Sequence, residues 1–108
     1  MAETVDEVFT EMEGRLKEHP DKVKGMNAIY QFDLTGEGGG EHWVKLVNET
    51  SEVGTGQAES PNITITMAAP DFMDLVSGKL DGTMAFMSGK LKVKGDMGLA
   101  MKLQQVLR

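Results

Sequence analysis

No cysteine occurs in the 108 residues of this chain. That absence removes disulfide frameworks, thiolate zinc sites and cysteine nucleophiles together, and it fits a reducing interior. Histidine is nearly as scarce: His19 and His42 are the only two, and their separation does not resemble a metal-binding spacing. No apolar run approaches the ~18 residues that a membrane span needs. The opening MAETVDEVF has no basic region followed by an apolar one, so it does not read as a secretory signal. The closing Gln105-Val106-Leu107-Arg108 is not a peroxisomal address of the Ser-Lys-Leu type. A cytoplasmic location is the expectation from these features.

Basic residues are also few, 11 against 17 acidic ones. An acidic chain makes a poor nucleic-acid binder, because lysine and arginine contacts to phosphates supply most of that affinity. The deficit is uneven. Residues 1–78 carry 5 basic and 15 acidic side chains, whereas residues 79–108 carry 6 basic and 2 acidic ones. The basic last third reads either as a solvated face or as a surface that meets anionic head groups.

What is present is one domain, residues 1–108, large enough to bury a core without staples. Val5, Val8, Phe9, Met12 and Leu16 recur at helical spacing, Thr4 and Glu7 match a capping box, and His19-Pro20 ends the helix. Ala28, Tyr30, Phe32 and Leu34 alternate with less apolar neighbours as one face of a strand. Gly36–Glu41 then reads as a flexible hairpin connection, and His42–Val47 as a second strand with His42 at its surface. Val53 marks a short third strand, and Ile63, Ile65 and Met67 alternate with threonines in a fourth. Pro70 and Asp71 suit a helix start, and Phe72, Leu75 and Val76 give that helix an apolar face. Gly78 stops it in a left-handed cap. A helical turn over 83–87 ends at Gly89, Leu91 and Val93 alternate with lysines in a last strand, and Met97–Leu107 rides a final helix. The order is helix, four antiparallel strands, two short helices, strand, helix. That is an α+β fold, one sheet with helices gathered on one face.

Catalytic signatures are missing. The tetrapeptide Ser-Gly-Lys-Leu occurs at Ser77–Leu80 and Ser88–Leu91, but neither Gly-Lys is followed by Ser or Thr at the spacing of a phosphate loop. There is no Gly-x-Ser-x-Gly elbow. Asp71 and Asp74 share one helix face, as first-turn acids commonly do. A hydrolase using Asp71, His42 or Ser88 is the minor reading, and no enzyme, cofactor or metal is expected. Nine methionines, five of them within residues 73–108, read either as gap-filling core or as an adaptable apolar surface.

The later segments resemble the sterol carrier protein 2 domain. They are Ile63–Met67, Asp71-Phe72, Gly78-Lys79-Leu80, Ala85-Phe86 and, above all, GKLKVKGDMGLAMKL over Gly89–Leu103. The resemblance extends upstream through the N-terminal helix, the Tyr30-x-Phe32 strand, the glycine-rich hairpin and Trp43. It implies a five-stranded, mostly antiparallel sheet with helices on one face, enclosing a hydrophobic tunnel. It also implies a non-specific carrier of fatty acids, fatty acyl-CoA or sterol-like ligands, or an accessory module presenting acyl-CoA to a separate lipid enzyme. Transient contact with a membrane surface or a lipid enzyme follows from the same resemblance. By positional matching the candidate wall residues are Phe32, Trp43, Phe72, Leu75, Val76, Met84, Phe86, Met87, Met101 and Leu103, with Gln104 as a polar contact.

Overall fold

The computed structural model describes residues 3–107, without the side chains of Gln104 and Gln105. Helix α1 (Val5–Glu18) opens on Thr4, whose hydroxyl accepts from the Glu7 N–H at 3.2 Å. All five apolar positions of its helical stripe are buried. After a 3₁₀ turn (Pro20–Val23), strands β1 (Ala28–Thr35), β2 (Gly40–Val47) and β3 (Thr50–Thr55) follow. Then come β4 (Ile63–Ala68), α2 (Ala69–Ser77), α3 (Gly82–Met87), β5 (Leu91–Gly95), α4 (Met97–Met101) and α5 (Leu103–Leu107). The five strands form one sheet in the order β3-β2-β1-β4-β5. The fold is α+β, as expected.

One pairing departs from the expected antiparallel run. Strand β4 lies parallel to β1, with Phe32 opposite Ile65, while the other three pairings are antiparallel. A parallel neighbour demands a crossover, and residues 56–62 supply it by crossing β2 and β1 on the sheet's far face. The three strand spacings from β3 to β4 are about 14 Å, within the reach of seven residues. Gln31, fully buried, fastens this crossing: its amide donates to the Gly56 carbonyl at 3.0 Å and accepts from the Ala58 N–H at 2.8 Å.

The core sits on the opposite face, under α1 and α2. Strand alternation sends Tyr30, Phe32, Val44, Leu46, Ile63 and Ile65 there, all at most 1% exposed. Phe9 of α1 stacks on Phe72 of α2, ring centroids 5.4 Å apart, and meets Phe32 edge-on at 5.4 Å. Such aromatic pairs contribute about 0.5–1.5 kcal/mol each beyond their buried area. His42 joins this cluster rather than lying at the surface. Its ring is parallel to Phe9 at 4.3 Å, and only 4% of the residue is exposed. The correction follows from parity, since Val44 and Leu46 face the core and place His42 on the same side.

Candidate functional site: an apolar cleft beside the last strand

Strand β5 is an edge strand, and the helices above it are short. Leu91 is buried and Val93 half-buried on its helix-facing side. Helix α3 begins at Asp81, whose carboxylate accepts from the Thr83 and Met84 N–H groups at 2.8 and 3.1 Å. Gly78, at φ 87°, ends α2 in the left-handed cap expected of it. Each Ser-Gly-Lys-Leu segment thus follows a helix, and the second leads into β5.

The chain between Met97 and Leu107 is two helices rather than the single one expected. A continuous helix would offer the Leu99 carbonyl to the N–H of Leu103. That carbonyl instead accepts the Tyr30 hydroxyl at 2.7 Å and the Lys102 N–H at 3.1 Å. The break turns Met101 outward, 84% exposed, and Leu103 inward. Burial, and after it the charge of Asp96, pushes the Tyr30 phenol far above its usual range. The hydroxyl therefore stays a donor at every ordinary pH. At the other end, the Arg15 guanidinium donates to the Leu107 carbonyl and ties α5 to α1.

Between these elements lies a cleft of about 340 Å³. Leu91 and Val93 of β5 and the buried Leu75 of α2 line it. Phe86 of α3, Met97, Ala100 and Met101 of α4, and Leu103 and Leu107 of α5 complete its lining. Its walls are mostly aliphatic, thioether and phenyl carbon, with Asp81, Gly82 and Thr83 at one side. Such a lining suits a hydrocarbon chain and gives few directional bonds. Among the described residues there is no group of three or more His, Asp or Glu that could hold a metal ion.

Of the candidate wall residues, Leu75, Phe86, Met101 and Leu103 line this cleft. Phe32 and Phe72 lie in the closed aromatic core, neither exposed. Val76 packs half-buried against that core. Met84 and Met87 stand on α3 outside the cleft, 65% and 78% exposed. Trp43 is on the sheet's far face, because it alternates with His42 and Val44. There its indole N–H donates to the Thr55 carbonyl at 3.3 Å, and its ring lies over Gly54. The side chain of Gln104 falls outside the described residues. Leu91, Val93, Met97, Ala100 and Leu107 were absent from the candidates. For the first four the signal is the parity of β5 and the i, i+3, i+4 spacing of Met97, Ala100 and Met101. Two residues of the minor hydrolase reading are used otherwise: His42 packs on Phe9, and the Ser88 hydroxyl donates to the Ala85 carbonyl at 3.2 Å.

A sequence profile described as the SCP-2 sterol transfer family matches residues 9–108. Curated relatives include hydroxysteroid dehydrogenase-like protein 2 of Xenopus laevis, 42% identical over 107 residues that make up 98% of this chain and 25% of that protein. The protein of the same name from Homo sapiens is 42% identical over 104 residues, 95% of this chain and 24% of that one. The chain thus spans about a quarter of the length of these relatives. Among solved structures, sterol carrier protein 2 from Yarrowia lipolytica, without ligand, superposes with a TM-score of 0.76 at 28% identity, over 94% of this chain and 84% of that one. The sterol carrier protein domain 2 of Helicoverpa armigera gives 0.70 at 33% identity, over 95% and 81%. Sterol carrier protein 2 of Aedes aegypti, solved in complex with palmitate, shares the fold at 0.74 and 22% identity, over 99% and 96%.

Proposed function

The chain belongs to the SCP-2 sterol transfer family, and on that premise we propose that its cleft holds the hydrocarbon of a lipid, foremost a fatty acid or fatty acyl-CoA, with sterol-like ligands as further candidates. The observation that carries this reading is the apolar cleft bounded by β5, α3, α4 and α5. A volume of about 340 Å³ lies at the low end of the ~300–1,000 Å³ usual for ligand pockets, which favours a flexible chain over a rigid ring system. Burial is worth ~0.8 kcal/mol per methylene, so ten methylenes contribute about 8 kcal/mol gross. Lost translational freedom and ordering of the walls offset a large part of that, which leaves affinities around the micromolar range. With little directional bonding, selectivity among chain types is low.

Titration with a fluorescent fatty acid, followed by displacement with unlabelled acyl-CoA, tests the proposal. Saturable, displaceable binding is expected; no saturation at any chain length refutes it. The relatives named for a dehydrogenase-like activity favour a second reading, in which the domain presents acyl-CoA to a catalytic partner. Retention of a lipid-metabolising enzyme on the immobilised domain, strengthened by acyl-CoA, would distinguish presentation from free carriage.

A further inference from the structure

Methionine is over-represented among the apolar side chains that this protein turns to water. Among the described residues it accounts for four of the six large apolar side chains that are exposed, against three of the 24 apolar residues that are buried. The four exposed methionines stand in two pairs. Met84 and Met87 of α3, 65% and 78% exposed, lie outside the cleft, whereas Met97 and Met101 of α4, 48% and 84% exposed, line it. Met97 and Met101 open and close α4, four residues apart and so on one face of it. Met12, Met26 and Met67, by contrast, are at most 5% exposed.

A thioether differs chemically from the aliphatic and phenyl groups that share this cleft, because it takes up oxygen under mild conditions. Hydrogen peroxide is small and polar and reaches an exposed sulfur from water. One peroxide oxygen transfers to the sulfur lone pair. An S–O bond forms, the O–O bond breaks, and the departing hydroxide takes the proton of the transferred oxygen and leaves as water. Sulfur is oxidised by two electrons and the peroxide is reduced by two. The sulfoxide is polar where the wall had been apolar, and covering it with hydrocarbon costs it its hydration.

We propose that Met97 and Met101 are sulfoxidation sites that control how firmly the cleft retains its ligand. Oxidation by peroxide loosens the hold on a hydrocarbon chain, and reduction of the sulfoxides restores it. The proposal rests on the reading of the cleft as a lipid site and adds a regulation of that site. Met84 and Met87 are controls within the same chain: they are comparably exposed, but neither lines the cleft.

Graded hydrogen peroxide, with sulfoxide mapped by peptide mass spectrometry and affinity by fluorescent fatty-acid titration, tests it. Met84, Met87, Met97 and Met101 should oxidise before the buried Met12, Met26 and Met67. Affinity should fall about tenfold as Met97 and Met101 convert. Methionine sulfoxide reductases of both epimer specificities, with a thiol reductant, should restore it. Each variant is read as the ratio of its treated to its untreated affinity. Met97→Leu/Met101→Leu should keep that ratio unchanged by peroxide, whereas Met84→Leu/Met87→Leu should lose affinity as the parent does. Should circular dichroism show the first pair unfolded, Met101→Leu replaces it and should lose less affinity than the parent. Untreated protein that binds no fatty acid overturns the lipid reading and this proposal with it. Where untreated protein binds, three results overturn this proposal alone: affinity that survives full conversion of Met97 and Met101, affinity that falls only as the buried methionines oxidise, or protection by Met84→Leu/Met87→Leu.

Discussion

Met101→Glu separates a wall residue from a core residue. Met101 is 84% exposed yet borders the cleft. Glutamate has nearly the helix propensity of methionine. Its charge at the end of α4 opposes the helix dipole by about 0.3–1 kcal/mol, so the fold loses about 1 kcal/mol or less. The ligand loses more, because a charged group replaces a side chain that covers roughly three methylenes. At ~0.8 kcal/mol each that is about 2.4 kcal/mol, or about 50-fold in affinity. Phe72→Ala is the converse. Phe72 is fully buried between Phe9 and Phe32 and does not line the cleft, so truncation costs about 3–5 kcal/mol of stability. Its folded fraction should bind as wild type does. Fluorescent fatty-acid titration read beside urea denaturation measures both quantities. Unchanged affinity in Met101→Glu, or a loss no larger than its loss of folded protein, refutes the assignment.

His42 supplies a pH signature. Burial lowers its pKa and the Asp6 carboxylate, 3.6 Å away, partly opposes that. The unfolded chain therefore takes up the proton first as pH falls through the ordinary histidine value near 6.5. Stability is lost from there down to the folded pKa. His42→Phe keeps the stack on Phe9 and should flatten that part of the pH–stability curve, while Asp6→Asn should lower the His42 pKa further by NMR. An equally steep curve in His42→Phe would assign the slope to other groups. Tyr30→Phe leaves the Leu99 carbonyl without its 2.7 Å donor, at a cost of about 1–3 kcal/mol. Faster amide exchange concentrated in α4 is expected, and uniform exchange would count against Tyr30 as its anchor. Gly54→Ala would place a methyl 2.2 Å from the Trp43 ring, forcing that ring outward at about 1–3 kcal/mol. Red-shifted tryptophan emission with unchanged fatty-acid affinity is the expected pair of results, since Trp43 lies on the far face.

What the sequence disclosed was local. The five apolar residues of α1 and the alternation of Ile63, Ile65 and Met67 read directly as a buried stripe and a buried strand face, because each pattern repeats within one element. Long-range contacts were not legible in this way. The parallel β1–β4 pairing depends on Gln31 holding the crossing at Gly56 and Ala58, and in sequence Gln31 is only the polar member of an alternation. The break at Lys102 depends on a phenol 69 positions before Leu99. His42 misled because its ring was counted as polar. Once stacked on Phe9 it behaves as an apolar ring, and its parity sends Trp43 to the other face.

The sheet's two halves are covered differently, and that difference makes a cleft compatible with a stable fold. Over β3, β2 and β1 lie the 14 residues of α1, together with the nine of α2, long enough to present a full apolar stripe and close the core. Over β5 lie α3 and α4, of six and five residues, with the five-residue α5 packed beside α4 and α1, all too short to be stable alone. Each is held instead by a few fixed points: Asp81 caps α3, Asp96 and Tyr30 hold α4, and Arg15 holds α5. Most of these restraints are polar bonds at helix ends, so the apolar side chains between them need not fill the space they border. Leu75, Leu91, Leu103 and Leu107 are where the two halves meet, buried as core and lining the cleft at once. A substitution there changes stability and binding together, whereas one at Met101 or Phe72 changes mainly one of them. The wall of this cleft is therefore a gradient from core to lip, which explains why residue type alone did not distinguish the two.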